Sequence, residues 1–253
     1  MSAPQPIYTV RDLTKGYGSK AVLKQLDFDV YRGECLVILG RSGCGKSVTL
    51  RQLNGLEKPD AGRVTFDGVE ISALEEKELY PIRRRVAMLF QGGALFDSMT
   101  VFDNVSFPLR EHTDLGPGEI AEKVRQKLAM VRLSGIGDKM PSALSGGMKK
   151  RVALARSLAL DPEVVLFDEP TTGLDPMTSA TIAQLIRSTQ SEVAATSVVV
   201  THDIALARVV GDRVAFLEGG QFRFLGTWME ADRSEDPLFS RFLAGREESK
   251  NAP

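Results

Sequence analysis

The chain has 253 residues, 43% hydrophobic and 26% charged, with 32 Lys and Arg against 33 Asp and Glu for a formal net charge of -1. That length suffices for a buried α/β core without disulfides or metal, and the even charge excludes the broad positive field that gathers nucleic acid, so no nucleic-acid partner is expected. The two cysteines, Cys35 and Cys44, fit a reducing compartment, no apolar run reaches the roughly 18 to 20 residues that cross a bilayer, and the start "MSAPQPIYTV" lacks the regions of a secretion signal, so work at a membrane requires another subunit as anchor.

The opening "IYTVRDLTKGYGSKAVLKQLDFDV" alternates around a Gly-Tyr-Gly turn and predicts strand, turn, strand. "GECLVILG", Gly33 to Gly40, is a continuous apolar run closed by glycine, the pattern of a strand buried on both faces. "KSVTLRQLNGL" has helical potential and ends near Pro59, so "GRSGCGKS" joins a buried strand to a helix. "GRVTFDGVEI" predicts a peripheral hairpin strand, and "RRVAMLFQ", Arg84 to Gln91, another core strand. From about Leu95 to Ala143 the composition turns helical, with Ile120, Val124, Leu128 and Val131 three to four apart. The alternation then resumes: "GGMKKRVALARSLAL" as helix, "EVVLFDEP" as buried strand, "PMTSATIAQLIRSTQ" as helix, "TSVVVTHD" as strand, and "DRVAFLEGGQFRFLG" as a hairpin around Gly219 and Gly220. In the tail from Thr227, "DPLFSRFLAG" predicts a short docking helix and the last residues are expected to fray. The expected architecture is one α/β unit over 1–253, with a mostly parallel sheet and a peripheral antiparallel β subdomain in 7–94 and 161–226, an inserted α-helical subdomain in 95–160, and a tail in 227–253.

Gly40, Gly43, Gly45, Lys46 and Ser47 match the G-x-x-x-x-G-K-S pattern, with Arg41, Ser42 and Cys44 filling the loop and Val48 opening the helix. Such a loop curls its N–H groups onto phosphate oxygens beside a helix terminus. Lys46 is expected to reach the β and γ phosphates and Ser47 to bind magnesium. Asp168, closing "VVLFD", is placed to hold magnesium directly or through water. Its neighbour Glu169 can polarise a water aimed at the γ phosphate, which favours hydrolysis over transfer. Gln91 and His202 stand at the ends of two other predicted strands. Because ligands bind beyond the carboxyl ends of a parallel sheet, Lys46, Gln91, Asp168 and His202 are expected on one rim, with Gln91 near the magnesium shell and His202 near the γ phosphate. Taken singly, Gln91 and His202 also read as satisfied edge residues.

"LSGGM" adds a second anion cradle, with Ser145, Gly146, Gly147 and Met148 at a predicted helix start. One triphosphate has no need of two glycine cradles from one chain. The pair makes sense when one chain's Ser145 tip closes over nucleotide held by another chain, although an ordinary helix cap with small neighbours has the same residues. Lys149, Lys150 and Arg151 read either as the solvated face of that helix or as a partner contact.

With "GRSGCGKS", "FQ", "LSGGM", "VVLFDE", "GLD" and "TH" in this order, the chain from about Ile7 to Gly226 resembles the nucleotide-binding subunits of ATP-binding cassette transporters. The resemblance implies a P-loop NTPase core, with ATP and Mg2+ as cofactors. It makes Gln91 the coupling-loop glutamine, Ser145 to Gly147 the signature contacts, Asp168 the magnesium aspartate, Glu169 the catalytic glutamate, Asp175 a dimer contact and His202 the switch histidine. Tyr17 would stack on adenine, where the residues alone give a turn aromatic. Met148 replaces the glutamine common in the signature. Together with "FQGGALFDSMTVFDNVSFPLREH" it resembles the ATPases of Mce-type phospholipid transporters. That narrower resemblance implies a homodimer beneath an integral membrane permease, on the cytoplasmic side of the bacterial inner membrane, with an Mce-domain protein and in some members a STAS-domain subunit. Alternatives are an ATPase for amino acid or metal import, a non-transport relative in repair or translation, and a binding module without turnover, against which Glu169 and His202 argue.

Overall fold

The computed structural model describes residues 5–193 and 195–245; the tail expected to fray, 246–253, lies outside them. Strands β1 (Pro6–Tyr17) and β2 (Lys20–Tyr31) form the expected hairpin, and β1 also pairs with β4 (Ala61–Phe66), which pairs with β5 (Val69–Glu70). The result is a four-stranded antiparallel sheet ordered β2-β1-β4-β5. The second sheet has β3 (Cys35–Leu39), β6 (Val86–Leu89), β7 (Val164–Asp168), β8 (Thr196–Thr201), β9 (Arg213–Glu218) and β10 (Gln221–Thr227), ordered β10-β9-β3-β8-β7-β6. All of its pairings are parallel except β10 with β9.

The central strands read as unbroken apolar runs because both of their faces are covered. Side chains alternate across a strand, so Leu36 and Ile38 of β3 join a core shared with the antiparallel sheet, alongside Val10, Leu26 and Phe66. Cys35, Val37 and Leu39 point the other way, into a core shared with the helices. That second core runs from Val37 and Phe167 to Val105, Val124 and Leu154, so the helical segment packs directly on the sheet. It holds α3 (Val101–His112), α4 (Pro117–Met130), α5 (Gly146–Ser157), α6 (Pro176–Val193) and α7 (Ile204–Val210). In α4 the buried stripe is Ile120, Val124 and Leu128, continued by Val131, as the spacing predicts. Among the described residues no helix is long and apolar enough to cross a membrane.

Helix α2 (Glu76–Arg85), which follows α1 (Lys46–Leu53), is not among the expected elements, although Glu76 and Glu78 in its first turn and Arg83 to Arg85 in its last are helix signals. Only Leu79 and Ile82 of its ten residues are buried, and Pro81 stands inside it, a residue that argues against a helix in a sequence reading. Its last turn takes Arg84 and Arg85 from the strand expected there, so β6 starts at Val86 and ends at Leu89, and Gln91 lies two residues past the strand instead of closing it. Helix α1 likewise stops at Leu53, short of Pro59. At the far end, α8 (Trp228–Ala231) and α9 (Pro237–Leu243) dock on the sheet, with the Phe239 ring stacked 5.0 Å from Phe216 and 4.8 Å from Phe224.

Candidate active site

Three neighbouring strands end at one level. Leu39 of β3 stands opposite Thr201 of β8, and Val200 of β8 opposite Asp168 of β7, so the chain leaves the sheet side by side at Gly40, His202 and Glu169. Beyond these ends lies a cavity of 420 Å³ lined by Ser42, Gly43, Gly45, Lys46, Ser47, Val48, Gln91, Glu169 and His202, with Val22, Arg51 and Thr172 beside them. Gln91, expected on this rim, reaches it from its turn.

The loop takes its shape from Gly45, the residue before α1, whose φ of 113° is open to glycine and strained for other residues. A side chain there would also lie 2.6 Å from Leu23 Cδ2. Lys46 follows as the first helical residue, 6% exposed. Its Nζ donates to the carbonyls of Gly40 at 2.8 Å and Arg41 at 3.1 Å, and pairs with Glu169 Oε1 at 3.1 Å. Ser47 Oγ donates to Asp168 Oδ1 at 2.8 Å. Burial pushes the Asp168 carboxyl up, an effect the Ser47 hydrogen bond opposes. Burial also raises the Cys44 thiol, against the pull of Lys46, and raises Cys35 further, so both cysteines behave as packing groups.

Glu169 is 7% exposed and held at many points. Its N–H donates to the Val200 carbonyl at 2.9 Å, extending the β7–β8 ladder by one residue. Its Oε2 accepts from Thr201 Oγ1 at 3.2 Å and from the His202 N–H at 3.3 Å, and lies 2.9 Å from His202 Nδ1. Lysine, carboxylate and imidazole thus form one chain across the cavity. Such a set can grip a polyphosphate, orient a water and sense the terminal phosphate.

The other expected residues lie elsewhere. Tyr17 ends β1 half exposed and bonds Glu57 through its hydroxyl; it does not line the cavity. Ser145 caps α5 by accepting the Met148 N–H at 3.3 Å, and with the exposed Gly146 it stands outside its own chain's phosphate cavity, as do Gly147 and Met148. Asp175 caps α6, accepting Thr178 N–H at 3.0 Å and Thr178 Oγ1 at 2.6 Å, bonds that hold its carboxyl below the usual range. The solvated-face reading fails for Lys150, while Lys149 and Arg151 are half-buried. Lys150 is buried and donates to the Gln91 carbonyl, with its ammonium pulled down by burial, and Arg151 bonds the Val131 and Arg132 carbonyls at 3.4 and 3.2 Å. Sequence reasoning also passed over Arg51, which lines the cavity one helical turn after Ser47, a spacing that puts both on one face of α1. Thr201, the donor to Glu169, carries the weaker signal of adjacency to His202.

Comparison with known proteins agrees with this geometry. Residues 23–172 match the family model described as ABC transporter. The chain is 44% identical to the probable ribonucleotide transport ATP-binding protein mkl of Mycobacterium leprae, over 94% of this chain and 68% of that protein. It is 40% identical to the intermembrane phospholipid transport system ATP-binding protein MlaF of Escherichia coli K12, over 93% of this chain and 88% of MlaF. Among solved structures, a dimeric post-hydrolysis state of an ATP-binding cassette bound to ADP and Pi superposes with a TM-score of 0.80 at 34% identity, covering 87% of this chain and 98% of that one. CbiO1 of Clostridium perfringens, part of an ABC transporter complex, superposes at 0.83 with 32% identity, covering 94% and 95%. A phosphate loop, a paired lysine and glutamate, and a histidine on one rim, in a chain so matched, make this protein a member of the ABC transporter family and an ATP-hydrolysing cassette.

Proposed function

We propose that two copies of this ATPase close on ATP and Mg2+ and thereby drive phospholipid transport through a partner permease between the inner and outer membranes. The observation that carries the cargo is the 40% identity to MlaF along nearly the whole of both chains. The dimer is supported by the position of Ser145 and Gly146, exposed and outside their own phosphate cavity, where a second chain can use them. On this reading the ATPase sits at the cytoplasmic side of the inner membrane, held by the permease, with Mce-domain and STAS-domain subunits as further partners.

In the cycle, phosphate oxygens replace the Gly40 and Arg41 carbonyls and the Glu169 carboxylate as partners of Lys46. Glu169, still oriented by Thr201 and His202, then turns its free oxygen to the attacking water. His202 contacts the γ phosphate and reports its loss, Tyr17 stacks on adenine, and Asp175 meets the neighbouring subunit. The donors fit a small hard cation: Ser47 and Asp168 set a hydroxyl and a carboxylate oxygen 2.8 Å apart at the mouth of the phosphate loop. Ser47, Asp168 and Gln91 would hold Mg2+, whose chemistry here is neutralisation of charge on the phosphate oxygens.

A second reading, ribonucleotide cargo, follows from the 44% identity to mkl. Gentle solubilisation of the tagged full chain from its own membranes, followed by identification of copurifying subunits and bound small molecules, decides between them. A permease with bound phospholipid is the expected result. A permease with ribonucleotide favours the second reading, and no membrane subunit at all overturns both.

A further inference from the structure

Helix α5 carries Lys150, Ala153 and Arg156 three residues apart, hence along one side. That side meets the segment that begins at Gln91. Lys150 Nζ donates to the Gln91 carbonyl. A side chain at Gly93 would come within 3.3 Å of Ala153 Cβ, so the backbone rides directly on the helix. Arg156 Nη2 donates to the Gly93 carbonyl at 3.0 Å, its Nη1 to Asn104 Oδ1 at 3.4 Å, and its guanidinium lies 5.4 Å from the Phe96 ring. Asn104, fully buried on α3, accepts the Phe96 N–H at 2.9 Å and donates to the Phe96 carbonyl at 3.1 Å.

Burying a lysine at 7% exposure is costly unless its hydrogen bonds are used. Lys150 spends its bond on the Gln91 carbonyl, and Arg156 spends its bonds on the Gly93 carbonyl and on Asn104, which itself holds Phe96, where an ordinary helix surface would leave both cations in water. We propose that Lys150 and Arg156 are positioning residues for ATP hydrolysis, fastening the Gln91–Phe96 segment to α5 so that Gln91 stands in the phosphate cavity in the register that helix sets. Helix α5 begins at Gly146, capped by Ser145. The tip that would serve a partner's nucleotide and the clamp that places Gln91 at the chain's own nucleotide therefore belong to one rigid element, a link between two sites that rests on the dimer proposed above.

The test compares full-length parent, Lys150→Met and Lys150→Arg for ATP turnover, fluorescent-nucleotide affinity and amide hydrogen exchange over 91–96. Loss of a buried charged hydrogen bond predicts a kcat about tenfold lower in Lys150→Met, with nucleotide affinity within about twofold of parent. Exchange over 91–96 should quicken, and Lys150→Arg, which keeps a cationic donor, should recover most of the lost kcat. Parent kcat in Lys150→Met, a fall in kcat with unchanged exchange, or no recovery in Lys150→Arg would each overturn the proposal. Arg156→Gln gives the same readings should Lys150→Met not fold. Lys46→Ala in the same assay checks the hydrolysis reading separately: a parent that does not turn over ATP sinks that reading, while exchange over 91–96 still decides whether the clamp exists.

Discussion

Glu169 carries a φ of 47°, left-handed backbone that costs a non-glycine residue about 1 kcal/mol or more. The strain is held by the Val200 carbonyl on the backbone side and by Thr201, His202 and Lys46 on the carboxylate. Since both Glu169 oxygens already have partners, the conformation aims the carboxylate rather than merely tolerating it. Glu169→Gln keeps the shape and loses the base, so turnover should fall by about a hundredfold or more while ATP still binds. Phosphate release beside nucleotide titration checks this, and parent-level turnover would transfer the role of base to another group. Asp168 and Glu169 were legible in the sequence because two carboxylates after four apolar residues have few uses. Lys150 was not, since a lysine on a helix ordinarily keeps its head in water and only the packed segment beside α5 takes it inward.

Between elements, the tightest contact near the signature is that of α5 with α6. A methyl at Gly147 would lie 2.4 Å from Thr178 Cγ2, and Thr178 cannot swing away because its hydroxyl is bound to Asp175. Gly147→Ala should therefore destabilise the chain by about 1–3 kcal/mol, read by thermal or urea unfolding. Adding Thr178→Ser, which removes Cγ2 and keeps the hydroxyl bond, should restore most of that loss; no restoration would place the strain elsewhere. Glycine at this position thus has a packing reason beside any contact with nucleotide. Helix α9 offers a second case, for Phe239 is fully buried between Phe216 and Phe224. Phe239→Ala should cost about 3–5 kcal/mol and release the end of the chain from β9 and β10, seen as faster amide exchange in 237–243. The docking helix was readable from its Asp-Pro start and apolar run, whereas α2 holds Pro81 in its interior and has only two buried side chains.

The two sheets and α2 are tied by one surface network. Arg85 at the end of α2 bonds Asp67 in the β4–β5 turn and Glu163 before β7, the latter at 2.5 Å, and Arg32 between β2 and β3 reaches the same two carboxylates. Hydrogen bonds from Arg85 hold both carboxyls below the usual range. Their folded values lie under their unfolded ones, so the stabilisation is present above the ordinary carboxylate range and is lost as pH falls through the lowered values. All four side chains are a third or more exposed, which limits the worth of each pair to about 1 kcal/mol or less. Melting curves of parent and an Asp67→Asn, Glu163→Gln double variant should differ at pH 7, and the difference should shrink as pH falls below the ordinary carboxylate range. Equal separation throughout would remove the network from the acid response.

Patterns of adjacency told the core strands, the phosphate loop, the order of motifs and most helices from the chain alone, because buried strands need apolar runs and phosphate cradles need glycines at fixed offsets. Folding settled where those motifs stand relative to one another. The register of β3, β8 and β7 brings Lys46, Glu169 and His202 into one chain of contacts while Tyr17 and Ser145 stay outside the cavity. Packing of α5 on the segment after β6 gives Lys150 and Arg156 partners tens of residues away, as the paired ends of β7 and β8 do for Thr201. Contacts between distant segments depend on packing and strand register, and neither periodicity nor local spacing encodes them.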